Sequence, residues 1–110
     1  MAYDEKLAER VRKRLHGYKG LTERKMFGGV GFMLRGNMCC GISNDELILR
    51  LGPEQTQLAL KRAHTRVFDM TGKVMKGWIM VAREGCRTDK ALKDWLEQGV
   101  RFTLTLPAKN

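Results

Sequence analysis

Three cysteines, two histidines and a few acidic pairs are the side chains here with the types for nucleophilic, metal or acid–base chemistry. Their spacing limits what they can do. Cys39 and Cys40 are adjacent and Cys86 stands alone, so there is no C-x-x-C pair and no zinc-finger spacing. The sequence therefore predicts no bound metal, and the odd cysteine count argues against a disulfide framework. Neighbouring residues of a strand point to opposite faces, which predicts Cys40 in the core with Met38 and Ile42 and Cys39 on the other side. There, exposure would decide whether Cys39 is a redox-sensitive thiol. His16 and His64 follow basic segments and are expected at helix ends, where the dipole favours a cation. No strained nucleophile turn of the G-x-S-x-G kind accompanies them. Asp45-Glu46 falls at a turn and strand start, where acids are ordinary. Gly28-Gly29-Val30-Gly31 lacks the lysine of a phosphate loop and runs into a strand, so it is expected to permit a bulge or a close backbone approach. These readings leave no catalytic, metal or cofactor-binding residue to assign.

Anion contact is the chemistry that composition favours. Lys and Arg number 21 against 12 acids, for a net charge of +9, which draws the chain toward polyanions at low salt. The candidate anion or partner contacts are Arg12, Lys13 and Arg14 in the first segment and Lys73 and Lys76 between glycines, with Arg83 and Arg87 expected nearby. The bases are spread along the chain, whereas a dedicated nucleic-acid binder concentrates them on one face. Seven methionines are many for 110 residues. Six of them fall in or beside the expected sheet, where core filling is the commoner role and a sheet face used as an interaction surface is the alternative.

The elements that must position these residues follow from periodicity. Leu7, Val11 and Leu15 recur at i, i+4, i+8 between charged residues, predicting an amphipathic helix over Asp4 to Leu15 that stops at Gly17 and Gly20. From Thr22 to Leu51 the period becomes two. Val30, Phe32 and Leu34, then Met38, Cys40 and Ile42, then Leu47, Leu49 and Leu51 predict a three-strand antiparallel meander with turns at Gly36-Asn37 and Asn44-Asp45. A piece from Arg24 to Phe27 is expected to begin the first strand. Gly52-Pro53 opens a helix expected to reach Ala63. Val67 to Met70 and Trp78 to Ala82 are expected as strands, with Thr71 to Gly77 as a loop between them. Thr88-Asp89 caps a last helix bearing Leu92, Trp95, Leu96 and Gly99, and Val100 to Asn110 is expected to include an extended tail.

The resulting order, α-β-β-β-α-β-β-α with short connections, predicts an α+β two-layer fold with an antiparallel sheet and helices. At 110 residues and 43% hydrophobic, the chain is expected to form one globular domain over residues 1–110. No apolar run is long enough to span a bilayer, and acids stand where a signal peptide would be apolar, which predicts a cytoplasmic protein.

At Lys25-Met26-Phe27-Gly28-Gly29-Val30-Gly31-Phe32, then Gly36-Asn37-Met38 and Asp45-Glu46-Leu47-Ile48-Leu49-Arg50, the chain resembles the N-terminal domain of the TfoX/Sxy competence regulators. Gly72-Lys73-Val74-Met75-Lys76-Gly77-Trp78, the final helix and Leu106-Pro107 extend the resemblance over nearly the whole length. It implies an α+β fold of the type III secretion chaperone-like kind, and a family motif Met26-Phe27-Gly28-Gly29 that shapes the fold. It also implies a non-enzymatic role in regulating natural transformation genes, through protein contacts with a transcription factor such as the cyclic-AMP receptor protein. Homodimerisation is a further expectation. Two alternatives stand beside the adaptor reading: sequence-independent nucleic-acid binding by the basic residues, and an enzyme acting on a small anionic ligand.

Overall fold

The computed structural model describes residues 3–26, 28–70 and 72–109, without the Met70 side chain. Helix α1 (Glu5–Leu15) begins where the Asp4 carboxylate accepts hydrogen bonds from the amides of Lys6 and Leu7, at 2.9 and 3.1 Å. That cap satisfies two first-turn donors, and Arg12, Lys13 and Arg14 stand in the last turn, where the dipole favours them. Leu7, Ala8, Val11 and Leu15 are buried, as the spacing requires.

Six strands follow in one antiparallel sheet: β1 (Leu21–Met26), β2 (Gly29–Leu34), β3 (Asn37–Ser43), β4 (Glu46–Arg50), β5 (Thr65–Met70) and β6 (Lys73–Val81). Their spatial order is β1-β2-β3-β4-β6-β5. Helix α2 (Pro53–Ala59) links β4 to β5, and α3 (Asp89–Thr103) follows a 3-10 turn at Arg83–Cys86. The α+β fold and antiparallel sheet agree with the sequence reading, which had one strand fewer at the start. Leu21–Met26 is a separate edge strand and not the beginning of β2.

Other boundaries also move. The β2–β3 turn is Arg35-Gly36, both with positive φ (53° and 82°), the pattern of a two-residue type I′ hairpin. Asn37 opens β3 instead of sitting in the turn, and its side-chain amide donates to the Pro107 carbonyl at 2.8 Å. Helix α2 stops at Ala59, short of the expected Ala63. Lys73–Gly77 belongs to β6, not to a loop, and the expected Thr71 end of that loop lies outside the described residues. The last helix continues through Val100 to Thr103, where an extended tail was expected.

Register divides the sheet into two faces. On one, Phe32, Ile42, Leu47, Leu49, Ile79 and Val81 join α1, α2 and α3 in a single buried cluster with Val11, Ala59, Leu92 and Trp95. The fully buried Trp95 indole donates its N–H to the Gly85 carbonyl at 3.1 Å, so the ring's large apolar area is buried with its one polar atom satisfied. The opposite face carries Gly31, Gly41, Ile48 and Met80, aligned across β2, β3, β4 and β6. No helix belongs to that cross-strand row.

A bulge corrects the cysteine expectation. Phe32 pairs with Cys40 and Met33 with Met38, leaving Cys39 as the extra residue of β3. Alternation is broken at that point, so both Cys39 and Cys40 are fully buried and Met38 is turned to the opposite face from the core. Cys39 lies beneath α3, where an added Cβ at Gly99 would stand 3.5 Å from its sulfur. The Cys40 thiol and then the Thr103 hydroxyl hold Cys39 below the ordinary thiol range against its burial. The same contact with Cys39, followed by burial, pushes Cys40 well above that range. Cys86 is buried too, and burial pushes it up.

Two predictions follow from this packing. An added Cβ at Gly29 would lie 2.0 Å from the Ile42 carbonyl oxygen, whereas at Gly31 it would meet only the movable ends of Met26 and Met38 at 3.2–3.3 Å. Gly29→Ala is therefore expected to destabilise by about 3 kcal/mol or more, and Gly31→Ala by less than about 1 kcal/mol, in chemical denaturation. Because all three cysteines are buried, a thiol reagent should titrate almost no thiol in the native protein and three in denaturant. Fast native labelling would contradict the bulged arrangement.

Candidate functional site

The face of the sheet opposite the helices forms an open trough of about 480 Å³. Its floor is formed by Met26, Met38, Ile48 and Met80. Gly31 and Gly41 pair across β2 and β3 beneath the two methionines, and their missing side chains make room for them: a Cβ at Gly31 would meet the Met26 and Met38 ends at 3.2–3.3 Å, and one at Gly41 the Met38 methyl at 2.8 Å. The far wall of the trough is the β5–β6 hairpin, which presents Phe68, Met75 and Trp78 to it. The Phe68 and Trp78 rings lie 6.0 Å apart at 53°, and the Arg50 guanidinium lies 5.2 Å from the centre of the Trp78 ring. This is tilted aromatic packing with a cation on its face.

Glu46 and Arg66 form a fork-shaped ion pair across the trough, with Arg66 Nε donating to one carboxylate oxygen at 3.1 Å and its terminal nitrogen to the other. Glu46 raises the Arg66 pKa, and Asp69 adds to that effect from a distance. Asp45 stays exposed in the β3–β4 turn, so the Asp45-Glu46 neighbours do not converge as a carboxylate pair. Asn44, with φ 54°, completes that turn. Among the described residues no group of three or more His, Cys, Asp or Glu is placed to hold a metal ion. Nor is any described helix long and apolar enough to cross a membrane.

The candidate contacts are distributed over two layers. Arg12 and Lys13 are exposed on α1, and each faces a carboxylate: Arg12 meets Glu23 of β1 at 2.5 and 2.8 Å, and Lys13 meets Glu9 at 4.0 Å. Arg14 lies exposed in the crevice between α1 and α3, with Tyr18 and Lys93. Lys73 and Lys76 are exposed on the part of β6 that runs beyond its pairing with β4. Arg83 and Arg87 follow the other end of β6, contrary to the expectation that they lie beside these lysines. The Arg87 carbonyl instead accepts from Arg10 of α1 at 3.0 Å. His16 ends α1 and is exposed, while His64, exposed with φ 66°, comes after α2 has ended.

Of the Met26-Phe27-Gly28-Gly29 motif, Phe27 lies outside the described residues. Gly28 takes a positive φ of 73° in the β1–β2 turn, and Gly29 passes under the Ile42 carbonyl. Met26 does more than shape the fold, because its side chain lines the trough. Four of the seven methionines line this face, whereas core filling was the commoner expectation for them. Trp78 and Phe68 are trough residues that the sequence reading missed, as it missed the glycine pair that seats Met26 and Met38. The signal for Ile48 was available in its alternation with Leu47 and Leu49.

A family model described as the TfoX N-terminal domain matches residues 13–103. None of the curated proteins compared with the chain matches it, and none of the solved structures does.

The Arg12–Glu23 pair gives a pH prediction. Arg12 holds the Glu23 carboxyl below the usual carboxylate range, chiefly through their hydrogen bonds, so the stabilisation is present at neutral pH. It is lost as pH falls through the lowered Glu23 value. Both side chains reach solvent, which keeps the contribution to about 0.2–1 kcal/mol. Arg12→Gln should return Glu23 to the ordinary range in a side-chain NMR titration and flatten the acid limb of stability; an unchanged Glu23 titration would contradict the pairing.

Proposed function

Because the chain belongs to the TfoX N-terminal domain family, we propose that it is a non-enzymatic regulatory adaptor that meets a protein of the transcription machinery through its open sheet face. In this reading it acts as do the competence regulators whose N-terminal domain it resembles. The observation that carries the reading is the trough. A concave surface lined by Met26, Met38, Met75, Met80, Phe68 and Trp78 offers deformable thioethers and rigid rings, the side chains that repack around a protein partner. Its charged pair, Glu46 with Arg66, is already satisfied internally and orients the wall instead of awaiting a substrate.

Family relationship and geometry support this reading from different sides. Met26 and Gly29 of the family motif lie at the trough, so the residues that carry the resemblance also build the surface. The distributed bases favour it over nucleic-acid binding, since Arg12 is engaged with Glu23 and the remaining candidates stand on separate layers.

The test is affinity capture of the tagged chain from its own cell extract at moderate salt, with and without nuclease. Met75→Glu places a charge on the wall, and Gly31→Leu fills the floor. Each is expected to reduce recovery of a specific protein by about tenfold or more while leaving the thermal transition close to that of the parent. Recovery of nucleic acid alone, lost to nuclease and salt and insensitive to both substitutions, would replace the adaptor with a polyanion binder.

A further inference from the structure

The occupant of the trough can be narrowed by three features of the sheet: what its backbone can bond, how wide the floor is, and where its free charges lie. The floor is built from β2, β3, β4 and β6, each flanked by a strand on both sides. Their amides and carbonyls are committed to neighbouring strands, so an incoming segment finds no ladder to join there. A segment that buries its backbone on such a surface must satisfy its own N–H and C=O groups, which an α-helix does and an extended peptide does not. A helix about 10 Å across covers two to three strands spaced about 4.8 Å apart, and the floor between Met26 and the hairpin wall is carried by the four adjacent strands β2, β3, β4 and β6.

Charge then selects among helices. One cross-strand row of the open face reads Arg24, Gly31, Gly41, Ile48, Met80, Arg66, with an arginine on each edge strand. Arg66 is held by Glu46. Among the described residues Arg24 and Arg50 form no ion pair within 4 Å; Arg24 is exposed at the β1 end of the row, and Arg50 lies over Trp78. Asp69, in the hairpin wall, likewise forms no ion pair within 4 Å among the described residues, so a partner must keep its acids away from that wall and toward Arg24 and Arg50, which stand on the same sheet face just outside the trough's lining. A second copy of the chain would bring another +9 against them, so like charge disfavours self-occupancy.

We infer that the open face binds an amphipathic α-helix of a partner protein, with apolar anchors on one side and acidic residues along its flanks. This rests on the adaptor reading and narrows it to one kind of occupant. The anchors pack on Ile48 and Met80 and against the Met26 and Met38 methyl groups that cover Gly31 and Gly41, while the acidic flanks meet Arg24 and Arg50. The helix would lie over the sheet as α1 and α3 do on the other face.

The experiment uses the whole chain labelled at its methionine methyl groups and three synthetic peptides. One is an amphipathic helix with leucines at i, i+3, i+4, i+7 and glutamates on its flanks; the second carries lysines for those glutamates; the third places proline in the middle of the first. The glutamate peptide is expected to shift the Met26, Met38, Met75 and Met80 signals, to bind about tenfold or more tightly than the lysine peptide, and to weaken as salt rises. The proline peptide should not bind. Absence of these shifts with the glutamate peptide overturns the inference, as does equal binding by the lysine or proline peptide. Shifts that grow with the concentration of the protein alone also overturn it, since the occupant is then a second copy. The adaptor reading has its own readout: a protein captured from extract that is lost in Met75→Glu keeps that reading standing when the helix inference fails.

Discussion

The extra residue at Cys39 governs both faces of the protein. It inserts one position into β3 opposite Phe32 and Met33, and the alternation of the strand changes sign across it. On the helical side, two consecutive sulfurs enter the core and α3 settles on them at Gly99, whose missing side chain leaves room for the Leu49 methyl group and the Cys39 sulfur. On the open side, the same shift delivers Met38 onto Gly31 and Gly41. Restoring regular pairing would return Met38 to the core and strip the trough of one methyl from its floor. Core packing and surface shape are therefore set by a single irregularity, and neither can be altered there independently.

That irregularity also marks the limit of what the residues disclosed. Helices α1 and α3 and strands β2 and β4 were legible because their core-facing residues recur at one unbroken spacing: Leu7, Val11 and Leu15 on a helix, and Leu47 and Leu49 on a strand. Strand β1 was not, since an edge strand of Leu-Thr-Glu-Arg-Lys-Met has four exposed residues in its middle and no apolar alternation to read. The first half of β6 failed for a related reason. It protrudes beyond β4, so Lys73, Val74 and Lys76 meet solvent and look like a loop. At the candidate site, the excess of methionine was visible but its placement was not, because Cys39-Cys40 gives no sign that alternation stops between them. The glycine pair was equally hidden, since Gly31 and Gly41 become partners only through register.

The positive charge has a different character from the one its total suggests. Arg10, Arg12 and Arg66 each reach a carboxylate from another element, joining α1 to Asp89 at the start of α3, α1 to β1, and β5 to β4. Arg62 lies 3.9 Å from the centre of the Trp95 ring and covers the edge of the core. These cations fasten neighbouring elements at the surface, each contributing modestly and each screened by salt. The excess that remains is spread over separate faces, and its effect on a partner depends on which of those faces the partner approaches.

Both ends of the described chain are held against β3. The Asp4 amide donates to Asn44 at 2.6 Å, just past the last residue of that strand, and the Lys109 amide donates to Arg35 at 2.7 Å, just before its first. Seven residues of extended strand separate the two clasps, a span of about 20 Å at about 3.4 Å per residue. The segment ahead of α1 and the segment after α3 thus lean on opposite ends of one strand, so loosening β3 would release both. A break in the exposed turn at Asn44-Asp45 would free the first of these segments, because that turn is where its clasp is fastened.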